Sequence, residues 1–94
     1  MSYKLFEHDR VIKFFKKHKK DKELLLRIHK KYLKILENPY DSSFKELTSI
    51  KCPKCHRARV GDYRIIFYVS ERKKQIEIID IIARKDNYKL FSII

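Results

Sequence analysis

The sequence is poor in the residues that interrupt regular structure. Among its 94 residues there is one glycine, Gly61, and only two prolines, Pro39 and Pro53. This scarcity excludes collagen-like and linker-rich architectures, because those require frequent glycine or proline. A chain of this length supports one modest hydrophobic core. We therefore predict a single domain that spans residues 1–94.

Long apolar runs and acidic residues are also scarce. The longest uncharged run has six residues, Ile65 to Ser70, whereas a membrane-spanning helix needs about 20. The first residues show no signal-peptide pattern. Asp and Glu total 12 against 24 Lys and Arg, which gives a net charge of +12. We expect a soluble, cytoplasmic protein without membrane contact that attracts polyanions, either nucleic acid or an acidic protein.

Cysteine is limited to Cys52 and Cys55, in the sequence C-P-K-C. This spacing is half of a zinc ribbon, but structural zinc needs four ligands, and His56 would supply only a third. A zinc site shared between chains remains an alternative. We predict two reduced thiols in a turn, because structural disulfides do not persist in a reducing cytoplasm, and neither a metal nor another cofactor.

The N-terminal half predicts one strand and a helical hairpin. Tyr3 to Glu7 has strand composition, and Asp9 is the predicted N-cap of a first helix. A second helix follows Asp21, with an apolar stripe that continues until Asn38-Pro39 stops it. The turn-rich connection that comes next contains three predicted core anchors: Phe44, Leu47 and Ile50.

The C-terminal half predicts consecutive strands. The stretch RARVGDYRIIFYV, residues 57–69, is typical of two strands joined at Gly61-Asp62. QIEIIDII forms a further strand, and YKLFSII closes the chain as an edge strand or a short docked segment. The predicted fold is α+β, with three or four antiparallel strands in a twisted sheet. Both helices pack on one face of this sheet, and the other face stays partly open.

Three arginines lie on the open face of the predicted hairpin. Turning at Gly61-Asp62 sets Arg59 opposite Arg64, and alternation adds Arg57 to the same face. Like charges that face each other destabilise a hairpin, so this arrangement indicates an anionic ligand. Pairing Val69 with Gln75 across a five-residue loop would set Arg64 opposite Asp80, which gives one arginine a predicted structural partner.

Two further residues extend this cluster along the chain. Arg84 leaves the last long strand near the Gly61 end of the sheet, and Tyr88 follows four residues later. Fixed guanidinium groups beside an aromatic ring suit a phosphate that is flanked by an unstacked base. We therefore predict an RNA-binding site with four contact residues: Arg57, Arg59, Arg84 and Tyr88.

The order of these motifs resembles the RelE/ParE toxin superfamily of toxin-antitoxin modules. The resemblance covers nearly the whole chain and includes Asn38-Pro39 and Leu47. Its most specific parts are R-x-R-V-G-D-Y-R, residues 57–64, and R-x-x-x-Y, residues 84–88. The RelE-like fold that the resemblance implies has two helices on a twisted, mainly antiparallel sheet. This agrees with the fold predicted from the pattern of the residues.

The resemblance also implies an activity and partners. RelE-like members cleave messenger RNA in the ribosomal A site and thereby inhibit translation. The implied reaction needs no metal: a ribose 2′-hydroxyl attacks its own 3′-phosphate, leaving a cyclic phosphate and a 5′-hydroxyl. A cognate antitoxin protein would silence the toxin in a hetero-oligomer. By position, the implied catalytic residues are Arg57, Arg59, Arg64, Arg84 and Tyr88.

The general base for such a reaction is not assigned by the sequence. Arg57 and Arg59 stand where the best-known RelE-type members have lysine, and arginine does not lose its proton. His56 is one candidate, although on a regular strand it would point to the opposite face. Glu46 is another, because some relatives use a carboxylate near this position. Tyr88 would need a strongly lowered pKa.

Two other functions remain open at the level of sequence. The resemblance implies that ParE-like members share the fold but inhibit DNA gyrase and are not nucleases. A basic RNA-binding module without catalysis would also fit the charge. The matching arginine and tyrosine positions favour the nuclease, because phosphoryl chemistry needs cations around the reacting group.

Overall fold

The chain folds into two helices packed against one five-stranded sheet. The computed structural model describes residues 3–46, 52 and 54–83. The predicted α+β class is confirmed. The elements, in chain order, are β1 (Lys4–Glu7), α1 (Asp9–Lys17), α2 (Lys22–Glu37), β2 (Lys45–Glu46), β3 (His56–Val60), β4 (Tyr63–Ser70) and β5 (Gln75–Ala83).

The sheet has the strand order β1-β5-β4-β3-β2. The β4–β5, β3–β4 and β2–β3 pairs are antiparallel, whereas β1 pairs in parallel with β5, so the sheet is mixed. The two-residue strand β2 lies in the connection that we predicted as turns. The predicted strand YKLFSII and the predicted anchors Leu47 and Ile50 lie outside the described residues.

Of the two described helices, only α2 begins with a side-chain cap. As predicted, α2 begins directly after Asp21, which is its N-cap: the Asp21 side chain accepts a hydrogen bond from the Leu24 N–H at 3.1 Å. The N-cap of α1 is His8 and not Asp9, which is the first residue of the helix. The negative charge of Asp9 still stabilises the start of α1, because it lies near the positive end of the helix dipole. Neither helix of the described chain is long and apolar enough to cross a membrane.

The main core fills the space between the helical hairpin and one face of the sheet. Phe67 is fully buried at its centre, and the predicted anchor Phe44 packs edge-on against it with ring centroids 5.6 Å apart. Other fully buried members come from both helices and from β3, β4 and β5: Val11, Ile28, Ile35, Ala58, Ile65, Ile76 and Ile78. A smaller apolar cluster of Cys55, Ile66 and Ile82 lies apart from this core.

A hydrogen-bonded cluster around Glu71 joins three segments that are distant in sequence. The Glu71 carboxylate accepts hydrogen bonds from Lys74 Nζ at 2.8 Å, from the Tyr3 hydroxyl at 2.6 Å and from the Tyr40 hydroxyl. These donors, Lys74 first, lower the pKa of Glu71 to about 2. The cluster therefore connects the start of β1 and the loop after α2 to the turn between β4 and β5.

Replacing Glu71 with glutamine should lower the melting temperature at neutral pH. The pKa of Glu71 is depressed in the folded state relative to about 4.3 for an unfolded glutamate. Its stabilising contribution is therefore complete above about pH 4.3 and is lost as the pH falls towards 2. Melting curves of wild type and Glu71→Gln should diverge at pH 7 and converge near pH 2.

The control for this experiment is Glu37→Gln, at the exposed last residue of α2. This variant should melt like the wild type across the same pH range. A gap between wild type and Glu71→Gln that is as large at pH 2 as at pH 7 would contradict the ionic origin of the effect.

Candidate functional site

The hairpin of β3 and β4 places the arginines on the face of the sheet opposite the helices. Arg59 is paired with Arg64 across the two strands, as predicted. The residues that alternate with them, such as Ala58 and Ile65, are fully buried in the main core. Since side chains of a strand alternate between its faces, Arg57 and Arg59 must point away from the helices. We call this side of the sheet the arginine face.

A cavity opens on the arginine face. Its volume is about 300 Å³, and its lining residues are Ser43, Lys45, Arg57, Arg59 and Arg64. We call it the arginine cavity. These residues supply three guanidinium groups, an ammonium group and a hydroxyl group, all of which can donate hydrogen bonds, and none of the described lining residues carries a carboxylate. The arginine cavity is thus suited to hold a phosphate or another compact anion.

Lys45 and Ser43 were not among the predicted site residues. Lys45 enters the arginine cavity because β2 pairs with β3, which sets Lys45 opposite Arg57 on the same face. Ser43 lies just before β2, and its N–H donates a hydrogen bond to the Asp41 carboxylate at 2.8 Å. A strand of two residues gives no alternation pattern, so the sequence carries no signal that would place Lys45 beside Arg57.

The three arginines differ in how deeply they are set. Arg64 is buried, with 6% of its surface exposed, whereas Arg57 is partly buried and Arg59 is exposed. Arg57 and Arg64 also interact with other parts of the protein. Arg64 therefore forms the floor of the arginine cavity, and Arg59 offers its guanidinium group to solvent at the rim.

The predicted pairing of Arg64 with Asp80 is wrong. Gln75 pairs with Ser70 and not with Val69, and an irregularity between Ile66 and Phe67 shifts the β4–β5 register by one more residue. Arg64 is therefore opposite Ile82, and Asp80 is opposite Ile66. Asp80 is bound instead by Arg10 of α1, at 3.3 Å from Nη1 to Oδ2. Burial raises the pKa of Asp80, although the Ile81 N–H and the Arg10 guanidinium act in the opposite direction.

Two candidate general bases, His56 and Glu46, do not line the arginine cavity. His56 stacks on Phe67 with ring centroids 5.5 Å apart, and the Tyr40 ring packs edge-on against it at 6.3 Å. Within the described residues, the buried Nδ1 of His56 has no hydrogen-bond partner. Glu46 is paired with His56 across β2 and β3, so it belongs to the same face. Neither side chain lines the arginine cavity.

The structure gathers three of the five predicted catalytic residues. Arg57, Arg59 and Arg64 line one cavity. Arg84 and Tyr88 lie outside the described residues, so their roles stay predictions.

The expectation of two reduced thiols is wrong, because Cys52 and Cys55 are joined in a disulfide with their Cα atoms 5.4 Å apart. A four-residue turn brings the two side chains together, and Cys55 is buried against Ile66 and Ile82. No group of three or more His, Cys, Asp or Glu side chains capable of holding a metal occurs among residues 3–46, 52 and 54–83.

Solved structures of RelE toxins share this fold. The RelE of an archaeal RelE-RelB complex from Pyrococcus horikoshii OT3 is 24% identical, with a TM-score of 0.70 over 92% of this chain and 99% of that one. An Escherichia coli RelE with two arginine-to-alanine substitutions, in the free state, is 21% identical, with a TM-score of 0.74 over 96% and 90%. A chain of the RelBE2 toxin-antitoxin complex from Mycobacterium tuberculosis is 16% identical, with a TM-score of 0.73 over 89% and 100%. The architecture is thus that of the RelE toxins.

The sequence itself identifies the family. Residues 5–88 match the family described as the ParE toxin of the type II toxin-antitoxin system parDE. No protein with a curated function is similar enough in sequence to match the chain. The chain belongs to the ParE toxin family within the RelE/ParE superfamily, and it is the toxin of a type II toxin-antitoxin module.

The burial of Arg64 predicts that its removal affects folding more than removal of Arg59. Arg64→Ala takes away a buried side chain and the contacts that it makes, and it should lower the free energy of unfolding by about 1 to 3 kcal/mol. Arg59→Ala removes an exposed group and should change it by less than about 0.5 kcal/mol. Urea denaturation of both variants measures the difference, and equal losses would contradict this description of the cavity floor.

Proposed function

We propose that this toxin is an endoribonuclease that cleaves messenger RNA on the ribosome and so inhibits translation. The observation that carries the proposal is the arginine cavity, in which three guanidinium groups converge on a space of about 300 Å³. A phosphate that is being transferred spreads negative charge over its oxygens, and fixed donors around it stabilise that charge. Inhibition of a protein by surface contact needs no such concave cluster.

In the proposed reaction the chain binds and orients the scissile phosphate. The nearby 2′-hydroxyl attacks the phosphorus, the bond to the 5′-oxygen breaks, and the products carry a cyclic phosphate and a 5′-hydroxyl. Arg57, Arg59 and Arg64 would hold the phosphoryl oxygens and neutralise the charge that grows on them. Arg84 would add a further cation, and Tyr88 would stack on or orient the nucleotide.

The proposal includes the cellular setting. A cognate antitoxin would bind the toxin in a hetero-oligomer, as in the RelE-RelB and RelBE2 complexes with which this chain shares its fold. A net charge of +12 favours an acidic antitoxin and, once that is removed, the polyanionic ribosome and its message. Both targets are in the cytoplasm.

The alternative is inhibition of DNA gyrase without nuclease activity. It is favoured by the family match, which is to ParE toxins. The two functions differ in what fails first in the cell. Inducing the toxin should stop incorporation of labelled amino acids before plasmid supercoiling changes if the nuclease proposal holds. Loss of negative supercoiling while translation continues would refute the proposal and support the alternative.

We expect Arg59→Ala to reduce cleavage of ribosome-bound message by roughly 30- to 1,000-fold, because one charge-assisted contact to the transition state is lost. The matched control is Arg72→Ala, which removes the same charge from an exposed turn between β4 and β5. This control should cleave at the wild-type rate. Primer extension on programmed ribosomes measures the rates, and a fully active Arg59→Ala variant would refute the site.

Substitutions of Tyr88 test its proposed contact with the nucleotide. If the ring stacks on a base, Tyr88→Phe should retain most activity, and Tyr88→Ala should lose roughly 1 to 3 kcal/mol of stabilisation. If the hydroxyl relays a proton, both variants should lose the ~10²- to 10⁴-fold that is typical of acid-base groups. Cleavage is measured beside a melting curve. A folded Tyr88→Ala variant that cleaves at the wild-type rate would exclude any catalytic role.

A further inference from the structure

The arginine cavity has one lysine beside its three arginines among the described residues that line it. Of the five described residues that line it, Lys45 alone carries a cation that can give up its proton and accept another, because arginine stays protonated. Serine contributes only a neutral hydroxyl group. Among the described lining residues, Lys45 is therefore the one basic side chain that can act as a proton acceptor, through its neutral amine.

Strand pairing separates Lys45 from the other candidates for this role. Lys45 and Glu46 are neighbours in β2, so their side chains point to opposite faces. Lys45 is paired with Arg57 on the arginine face, whereas Glu46 is paired with His56, which stacks on Phe67 on the other face. The only carboxylate of β2 is thus excluded from the arginine cavity by the same geometry that admits Lys45.

We propose that Lys45 is the general base of the cleavage reaction. Its neutral amine would take the proton of the attacking 2′-hydroxyl as the bond from that oxygen to phosphorus forms. The bond from phosphorus to the 5′-oxygen breaks, the leaving oxygen takes a proton from water, and the hydroxide that forms takes the proton from the Lys45 ammonium. Atoms and charges balance without a metal or a further reactant. This assignment rests on the proposed nuclease function. It gives the reaction a general base although Arg57 and Arg59 stand where the best-known RelE-type members have lysine.

The other charged groups of the described lining are suited to hold the substrate. They are Arg57 and Arg59 of β3 and Arg64 of β4. Because a guanidinium group stays protonated, these three side chains can bind and neutralise the phosphoryl oxygens but cannot act as the base.

The test compares Lys45→Arg and Lys45→Met with wild type on ribosome-bound message. Lys45→Arg keeps the positive charge but removes the base, so both variants should cleave ~10²- to 10⁴-fold more slowly. The message concentration for half-maximal rate should stay unchanged in Lys45→Arg. Lys30→Arg, on the exposed surface of α2, is the matched control and should behave as wild type.

Each other outcome overturns the assignment. If Lys45→Arg cleaves at nearly the wild-type rate and Lys45→Met does not, Lys45 supplies charge and not proton transfer. If both variants keep the wild-type rate, Lys45 has no part in the reaction. If wild type itself leaves the message intact, the proposed function fails and this inference fails with it. That last case is recognised separately, because it needs no variant of Lys45.

Discussion

The site depends on the register of a single β-hairpin. Gly61 turns the chain with a positive φ of 56°, and β3 and β4 then pair so that Ala58 faces Ile65 and Arg59 faces Arg64. A slip by one residue would exchange the faces and move the arginines into the core. Burying a charge without a partner costs far more than any local preference of the turn, so the core that includes Phe67 fixes the register. The position of the cationic groups is therefore a consequence of hydrophobic packing.

Magnitudes explain why this hairpin tolerates like charges. Burying a side chain such as Ile65 or Phe67 contributes about 1.5 to 3 kcal/mol each. A cross-strand pair changes the free energy of unfolding by only about 0.2 to 1 kcal/mol, and two like charges such as Arg59 and Arg64 lower it. Packing on one face outweighs repulsion on the other. The arginine cavity thus forms without an anion, and a phosphate would meet donors that are already in place.

The sequence predicts those parts of the fold that repeat with a regular period. Alternation through residues 57–69 predicted both strands, the paired arginines and the buried face. Asp21, followed by an apolar stripe with helical spacing, predicted the start of α2. Three features have no such signal. A strand of two residues cannot show alternation, so Lys45 was missed. The prediction of reduced thiols depends on the expected cellular compartment, whereas the disulfide between Cys52 and Cys55 depends on the geometry of the turn. The shift of register after Ile66 depends on one extra residue, which no periodic pattern announces.

That shift of register also determines the face of the sheet on which Asp80 lies. Continued without an irregularity from the pair of Ser70 with Gln75, the β4–β5 register would set Asp80 opposite Ile65, which is fully buried in the main core. A carboxylate in an apolar core loses its hydration, and this loss is costly unless the charge is paired. The extra residue in β5 sets Asp80 opposite Ile66 instead, where Arg10 of α1 binds it outside the described lining of the arginine cavity. One extra residue therefore keeps a carboxylate out of the main core and gives it a cationic partner on the first helix.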